Sequence, residues 1–118
     1  MPLSIFVDGS GGLDSGFGFF VKETGESFYK KEPGITNNQA EYMAIVAALK
    51  KYLNSQDEIV IYSDSKNTVS QLNHEFAINN SQLRVLAMEA WELVAKCKNL
   101  RIMWIPREKN MAGKMLGS

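Results

Sequence analysis

Two short apolar runs in this chain lead straight into an aspartate. SIFV, residues 4–7, meets Asp8, and EIVIYS, residues 58–63, meets Asp64. Both runs have strand length and strand composition. Set side by side as parallel neighbours, they would bring both acids to the carboxyl ends of strands, where open α/β folds keep their sites. The simpler account is that Asp commonly ends strands and starts helices, so that Asp64 caps a helix at Ser65.

The other segments fill in a mixed pattern. Residues 16–22 place Phe17, Phe19 and Val21 at alternate positions, a strand signal. Glu23-Thr24-Gly25 makes a turn, and residues 26–31 read as a third strand, giving an antiparallel meander. Pro33-Gly34 breaks the chain. Thr36 followed by Gln39 fits a capping box, which starts a helix over about 37–53. A short helix over 65–72, a loop over 73–80, a helix capped by Ser81 to about Cys97 and a strand over 100–105 follow. Pro106 stops that strand, and a short final helix spans 111–116. The order βββαβααβ, with one closing helix, predicts an α/β fold. Its five-stranded mixed sheet joins an antiparallel meander to parallel strands, flanked by helices. The length of 118 residues fits a single domain, 1–118.

Glu41 sharpens the signal. On a helix it shares one stripe with Ile45, Ala48, Leu49 and Tyr52, so an acid opens a face that is otherwise largely apolar. A buried carboxylate must be neutralised, paired or metal-bound; alternatively Glu41 sits half in water near the positive helix end. Three acids at one sheet edge repel one another unless cations lie between them. Oxygen-only ligands suit Mg²⁺ or Mn²⁺ rather than zinc. Two such ions, roughly 4 Å apart, activate water and stabilise a phosphate leaving group. Cys97, the one cysteine, and His74, the one histidine, read as a packing residue and a surface residue. No disulfide within the chain is possible, and no convincing nucleophilic side chain is present.

These pieces together resemble the ribonuclease HI family. The matching segments are VDGS at 7–10, TNNQAEYMAIVAAL at 36–49, IYSDS at 61–65 and WIPREKN at 104–110, in family order and spacing. The resemblance covers about residues 4–116 and is strongest to compact members lacking the basic handle helix. It implies a ribonuclease H-like fold and metal-dependent endonucleolytic hydrolysis of the RNA strand of RNA–DNA hybrids. It also implies 5′-phosphate and 3′-hydroxyl products and a Mg²⁺ or Mn²⁺ cofactor, two ions being expected. Asp8, Glu41 and Asp64 match three of the family's four catalytic, metal-binding carboxylates. Ser10, Gly11 and Gly12 match the loop that approaches the RNA strand. Asn37 and Asn38 match the pair that contacts the hybrid in its minor groove, where 2′-hydroxyls mark RNA; helix N-terminal propensity is their plainer reading. Lys66, Arg107 and Asn110 complete the expected nucleic-acid contacts, with Lys66 alternatively a solvated helix residue.

The departures bear on activity. Lys114 stands where the family's fourth carboxylate is expected, and no acid follows Glu108. A lysine there weakens the second ion or swings out to phosphate, while Glu108 and Asn110 are candidate substitute oxygen ligands. The leading expectation is therefore a ribonuclease H of reduced activity. The alternatives are a non-catalytic, hybrid-binding paralogue, or a related nuclease such as a resolvase-like enzyme or a reverse-transcriptase-associated domain.

Charge and targeting signals complete the expectations. The chain has no apolar run of membrane-spanning length and no secretory leader pattern, so a free-standing cytoplasmic monomer without membrane contact is expected. The formal charge is zero, from 13 basic and 13 acidic residues, which at first speaks against a nucleic-acid partner. The zero is uneven. Residues 96–118 hold Lys96, Lys98, Arg101, Arg107, Lys109 and Lys114 against Glu108 alone. Binding would concentrate there and depend strongly on salt.

Overall fold

The structure, a computed structural model, describes residues 2–115, with side chains as far as residue 113. Its elements are β1 (Leu3–Ser10), β2 (Gly16–Val21), β3 (Ser27–Lys31), α1 (Asn37–Lys51), β4 (Ile59–Ser63), α2 (Lys66–Leu72), α3 (Ser81–Lys96), β5 (Leu100–Trp104), a 3-10 turn (Arg107–Lys109) and α4 (Met111–Met115). The strands form one sheet in the order β3-β2-β1-β4-β5. β1, β2 and β3 pair antiparallel, while β4 lies parallel to both β1 and β5. This is the five-stranded mixed sheet expected from the sequence.

Alternation along the strands divides the interior. Ile5, Val7, Ile61 and Ile102 face a core shared with α1 and α3, in which Ile45, Ala48 and Leu49 are buried. The stripe beginning at Glu41 therefore faces inward as predicted. Phe6, Phe20 and Ala112 form a smaller cluster on the opposite face with Tyr62, Ile105 and Met111, and this seats α4.

Several boundaries move for local reasons. The capping box is present, with the Thr36 hydroxyl accepting from Gln39 N–H and the Gln39 side chain accepting from Thr36 N–H. The helix it starts ends at Lys51, with Tyr52 as its C-cap. α2 is capped by Ser65, whose Oγ accepts from Thr68 N–H, so Asp64 is not its cap. α3 is capped by Asn80 rather than Ser81, with Oδ1 accepting from Leu83 N–H at 3.0 Å. β1 runs past Asp8 to Ser10, because β2 pairs with it up to Ser10↔Gly16. Leu116, expected in the final helix, lies outside the described residues.

Candidate metal centre

The register of the parallel ladder builds the site. β1 and β4 pair as far as Phe6↔Tyr62, whose rings stack with centroids 5.1 Å apart. Asp8 and Asp64 each lie two residues further on, so they fall level with one another just beyond the ladder. Glu41 comes from α1 across a close contact with β1. A Cβ at Gly9 would lie 2.4 Å from the Ala40 carbonyl carbon and 2.7 Å from Glu41 N, so only glycine allows this approach. One carboxylate oxygen from each of Asp8, Glu41 and Asp64 lies within 4.8 Å of the others.

Burial and mutual repulsion set the electrostatics. Asp8 and Glu41 are 3% and 6% exposed. Burial, and then the charges of Asp8 and Asp64, push Glu41 up to about 8, with hydrogen bonds from the Gly9 backbone and the Ser63 hydroxyl pulling the other way. Near neutral pH the metal-free site thus favours a proton on Glu41. The donors are all carboxylate oxygens, with no imidazole or thiolate among them, a set that fits a hard divalent cation.

The surrounding side chains hold this arrangement. Ser63, fully buried at the end of β4, has its Oγ 3.4 Å from Glu41 Oε2 and accepts from Ser65 N–H at 3.1 Å. Sequence reading missed it. Its signal was a polar residue in register with the core-facing Ile59 and Ile61. Asn110 is fully buried, and its Nδ2 donates to Asp64 Oδ2 and to Val7 O, both at 2.9 Å. Its Oδ1 accepts from Ala112 N–H at 3.0 Å. Asn110 is therefore a strut that ties Asp64 to β1 and α4. It is neither a surface contact for nucleic acid nor an available oxygen ligand, which corrects both expectations. Glu108 is exposed and is not among the three clustered acids. Arg107 Nη1 lies 3.5 Å from Asp64 Oδ2 and 4.0 Å from Asp8 Oδ1.

The expected contact loop borders this site. Gly11 N–H donates to Asn37 Oδ1 at 2.6 Å, and Gly12 N–H donates to Ile35 O at 3.1 Å, so Gly11 and Gly12 are stitched to the segment that leads into α1. Asn37 and Asn38 are both exposed. Lys66 is exposed, with its Nζ 6.0 Å from the centre of the Trp104 ring. Trp104 Nε1 in turn donates to Asp64 O at 3.2 Å. Lys114 lies on α4, one helical turn past Asn110, and its side chain is outside those described. His74 is a surface residue stacked on Trp91 with centroids 4.8 Å apart, and Cys97 is partly buried. A cleft of about 490 Å³ lined by Leu72, His74, Trp91 and Ile102 contains none of the three acids. The acids stand instead at the carboxyl end of the parallel ladder between β1 and β4.

The chain is similar to several known proteins. The family described as reverse transcriptase-like matches residues 22–117. Ribonuclease HI of Halobacterium salinarum is 34% identical over 99 residues, spanning 83% of this chain and 48% of that protein, so the chain covers about half of this relative. The Enterococcus faecalis protein EbsB, named only provisionally as a hydrolase, is 27% identical over 97% of this chain and 90% of its own length. The crystal structure of ribonuclease H1 from Halobacterium salinarum superimposes with a TM-score of 0.87 at 26% identity, covering 98% of this chain and 94% of that one. The ribonuclease H1 called LC11, crystallised in complex with an RNA/DNA hybrid, has the same fold, with a TM-score of 0.84 at 23% identity over 97% and 92% of the two chains.

Proposed function

The chain belongs to the reverse transcriptase-like family and has the ribonuclease H fold, and from that footing we propose that it hydrolyses the RNA strand of RNA–DNA hybrids. The observation that carries this reading is the convergence of Asp8, Glu41 and Asp64 at the open end of the parallel ladder. Ribonuclease HI as a relative, and a fold neighbour crystallised with a hybrid, support the substrate class.

Asp8 and Asp64 would hold Mg²⁺ or Mn²⁺ between β1 and β4, and Glu41 would complete the ligand set from α1. When bound, such ions supply an activated water and charge neutralisation on the phosphodiester. The chain's own residues do the positioning. Ser63 and Gly9 orient Glu41, while Asn110 fixes the rotamer of Asp64. The loop of Ser10, Gly11 and Gly12 and the amides of Asn37 and Asn38 present short polar groups to a minor groove, where 2′-hydroxyls distinguish RNA. Lys66 and Arg107 offer cations to phosphates. All three acids come from one chain, so one domain acting as a monomer suffices. Lys114, in place of a fourth acid, weakens the hold on a second ion and lowers the rate.

One observation favours a second reading, a non-catalytic hybrid-binding protein: Arg107 already lies against Asp8 and Asp64. Incubation with labelled hybrid, duplex RNA and duplex DNA, in Mg²⁺ and then Mn²⁺, separates the two. Cleavage of the hybrid's RNA strand is expected, and Asp8→Asn should reduce it about a thousandfold, the scale of losing a metal's charge stabilisation. Binding of the hybrid without cleavage by the unaltered chain would leave the second reading standing.

A further inference from the structure

Among the described residues, a cation from the chain itself also reaches the acids. Arg107 sits on the 3-10 turn after β5, and its guanidinium reaches Asp64 at 3.5 Å and Asp8 at 4.0 Å. The two carboxylates are 7% and 4% exposed, whereas the Arg107 side chain is 64% exposed. Both ends of this segment are anchored independently of that contact. Trp104 donates to the Asp64 carbonyl before the turn, and buried Asn110 donates to Val7 O and Asp64 Oδ2 after it. The backbone is thus pinned beside the acids, while the guanidinium rests on them from the solvent side.

We propose that Arg107 is a displaceable counter-cation, spanning Asp8 and Asp64 in the metal-free protein and giving way when a divalent ion binds those carboxylates. The inference rests on the metal-site reading above. Two buried, adjacent carboxylates repel one another, and a positive charge beside them offsets that repulsion. A guanidinium already mostly in water gives up little on leaving, because solvent screens exposed ion pairs. A divalent ion on the same oxygens repels the arginine. The measured metal affinity is therefore the affinity of the open site, reduced by the fraction of molecules in which Arg107 has moved aside. The released arginine is an exposed cation next to the site. A polyanion that captures it favours the open state, so metal and polyanion each strengthen the binding of the other.

Isothermal titration with Mg²⁺ and with Mn²⁺, in the absence of nucleic acid, tests the competition. Arg107→Gln should bind the ion about three- to tenfold more tightly than the unaltered chain, the scale of losing two partly solvated ion pairs. Its Tm in chelator should be lower, and its Tm at saturating metal unchanged. Equal or weaker metal binding by Arg107→Gln, with an unaltered circular dichroism spectrum, overturns the competition and leaves the metal site in place. Absence of saturable binding by both proteins removes the metal site and the competition together.

Discussion

The hydrophobic core and the acidic cluster are built from the same three segments, within a few residues of one another. β1 gives Ile5 and Val7 to the core and Asp8 to the site, α1 gives Ile45 and Leu49 to the core and Glu41 to the site, and β4 gives Ile61 to the core before leading to Asp64. The two regions nonetheless differ in energetic sign. Each core side chain gains from leaving water. Each acid loses from it, and the losses compound because like charges meet. The core therefore positions the site rigidly, and the site draws on stability supplied by the core.

The largest expected effect lies on the core side. Leu49 is 1% exposed and lies two i+4 steps along α1 from Glu41. Leu49→Ala should cost about 2–5 kcal/mol in denaturant unfolding, as buried leucines generally do, and lower Tm by roughly 10 °C or more. Hybrid cleavage below the new Tm should persist, since the acids stand at the end of the element rather than in its middle. A loss of cleavage in the folded variant would show that the two regions are not separable in this way.

Much of this division was legible in the sequence. Apolar runs ending in Asp8 and Asp64, and an acid on an apolar helical stripe, mark both regions in the sequence itself. The register could not be read that way. Asp8 was placed after its strand, because the sequence does not show that β2 extends the pairing beyond β4. Asn110 was misread for a related reason. Its burial depends on α4 packing against Phe6 and Phe20, a contact between segments about a hundred residues apart. Ser63 was passed over because a serine before an aspartate also fits a plain turn. Arg107 was assigned to phosphate, and its contact with both acids emerges only when the turn after β5 folds back.

The next effect separates the regions by pH. Glu41 in the folded, metal-free chain titrates near 8, against an ordinary value of 4.5. Below the ordinary value both states hold the proton, and this group costs nothing. Between the two values the unfolded chain has released the proton while the folded chain keeps it, so stability falls as pH rises, by up to about 1.4 kcal/mol per unit. Above the folded value the loss levels off. Glu41→Gln keeps the shape and removes the titration. In chelator, its unfolding free energy should exceed that of the unaltered chain by more at pH 8 than at pH 5. Core substitutions should show no such trend. A Glu41→Gln difference that is flat with pH would mean that Glu41 is not held in a charge-poor site.

The smallest effect tests the boundary itself. Ser63 occupies a core register position but serves the site, with its Oγ accepting from Ser65 N–H and lying within reach of Glu41 Oε2. Ser63→Ala removes both contacts and leaves a partly buried amide without its acceptor, for a cost of about 1 kcal/mol in unfolding. If Ser63 only packed, the change would end there. Because its hydroxyl favours the charged form of Glu41, its loss should also extend the pH-dependent loss of metal-free stability to higher pH and weaken divalent-ion binding in titration. Ser63→Thr, which restores a hydroxyl, should recover the metal affinity even if the added methyl costs some stability. An unchanged pH profile and metal affinity in Ser63→Ala would assign the residue to the core alone.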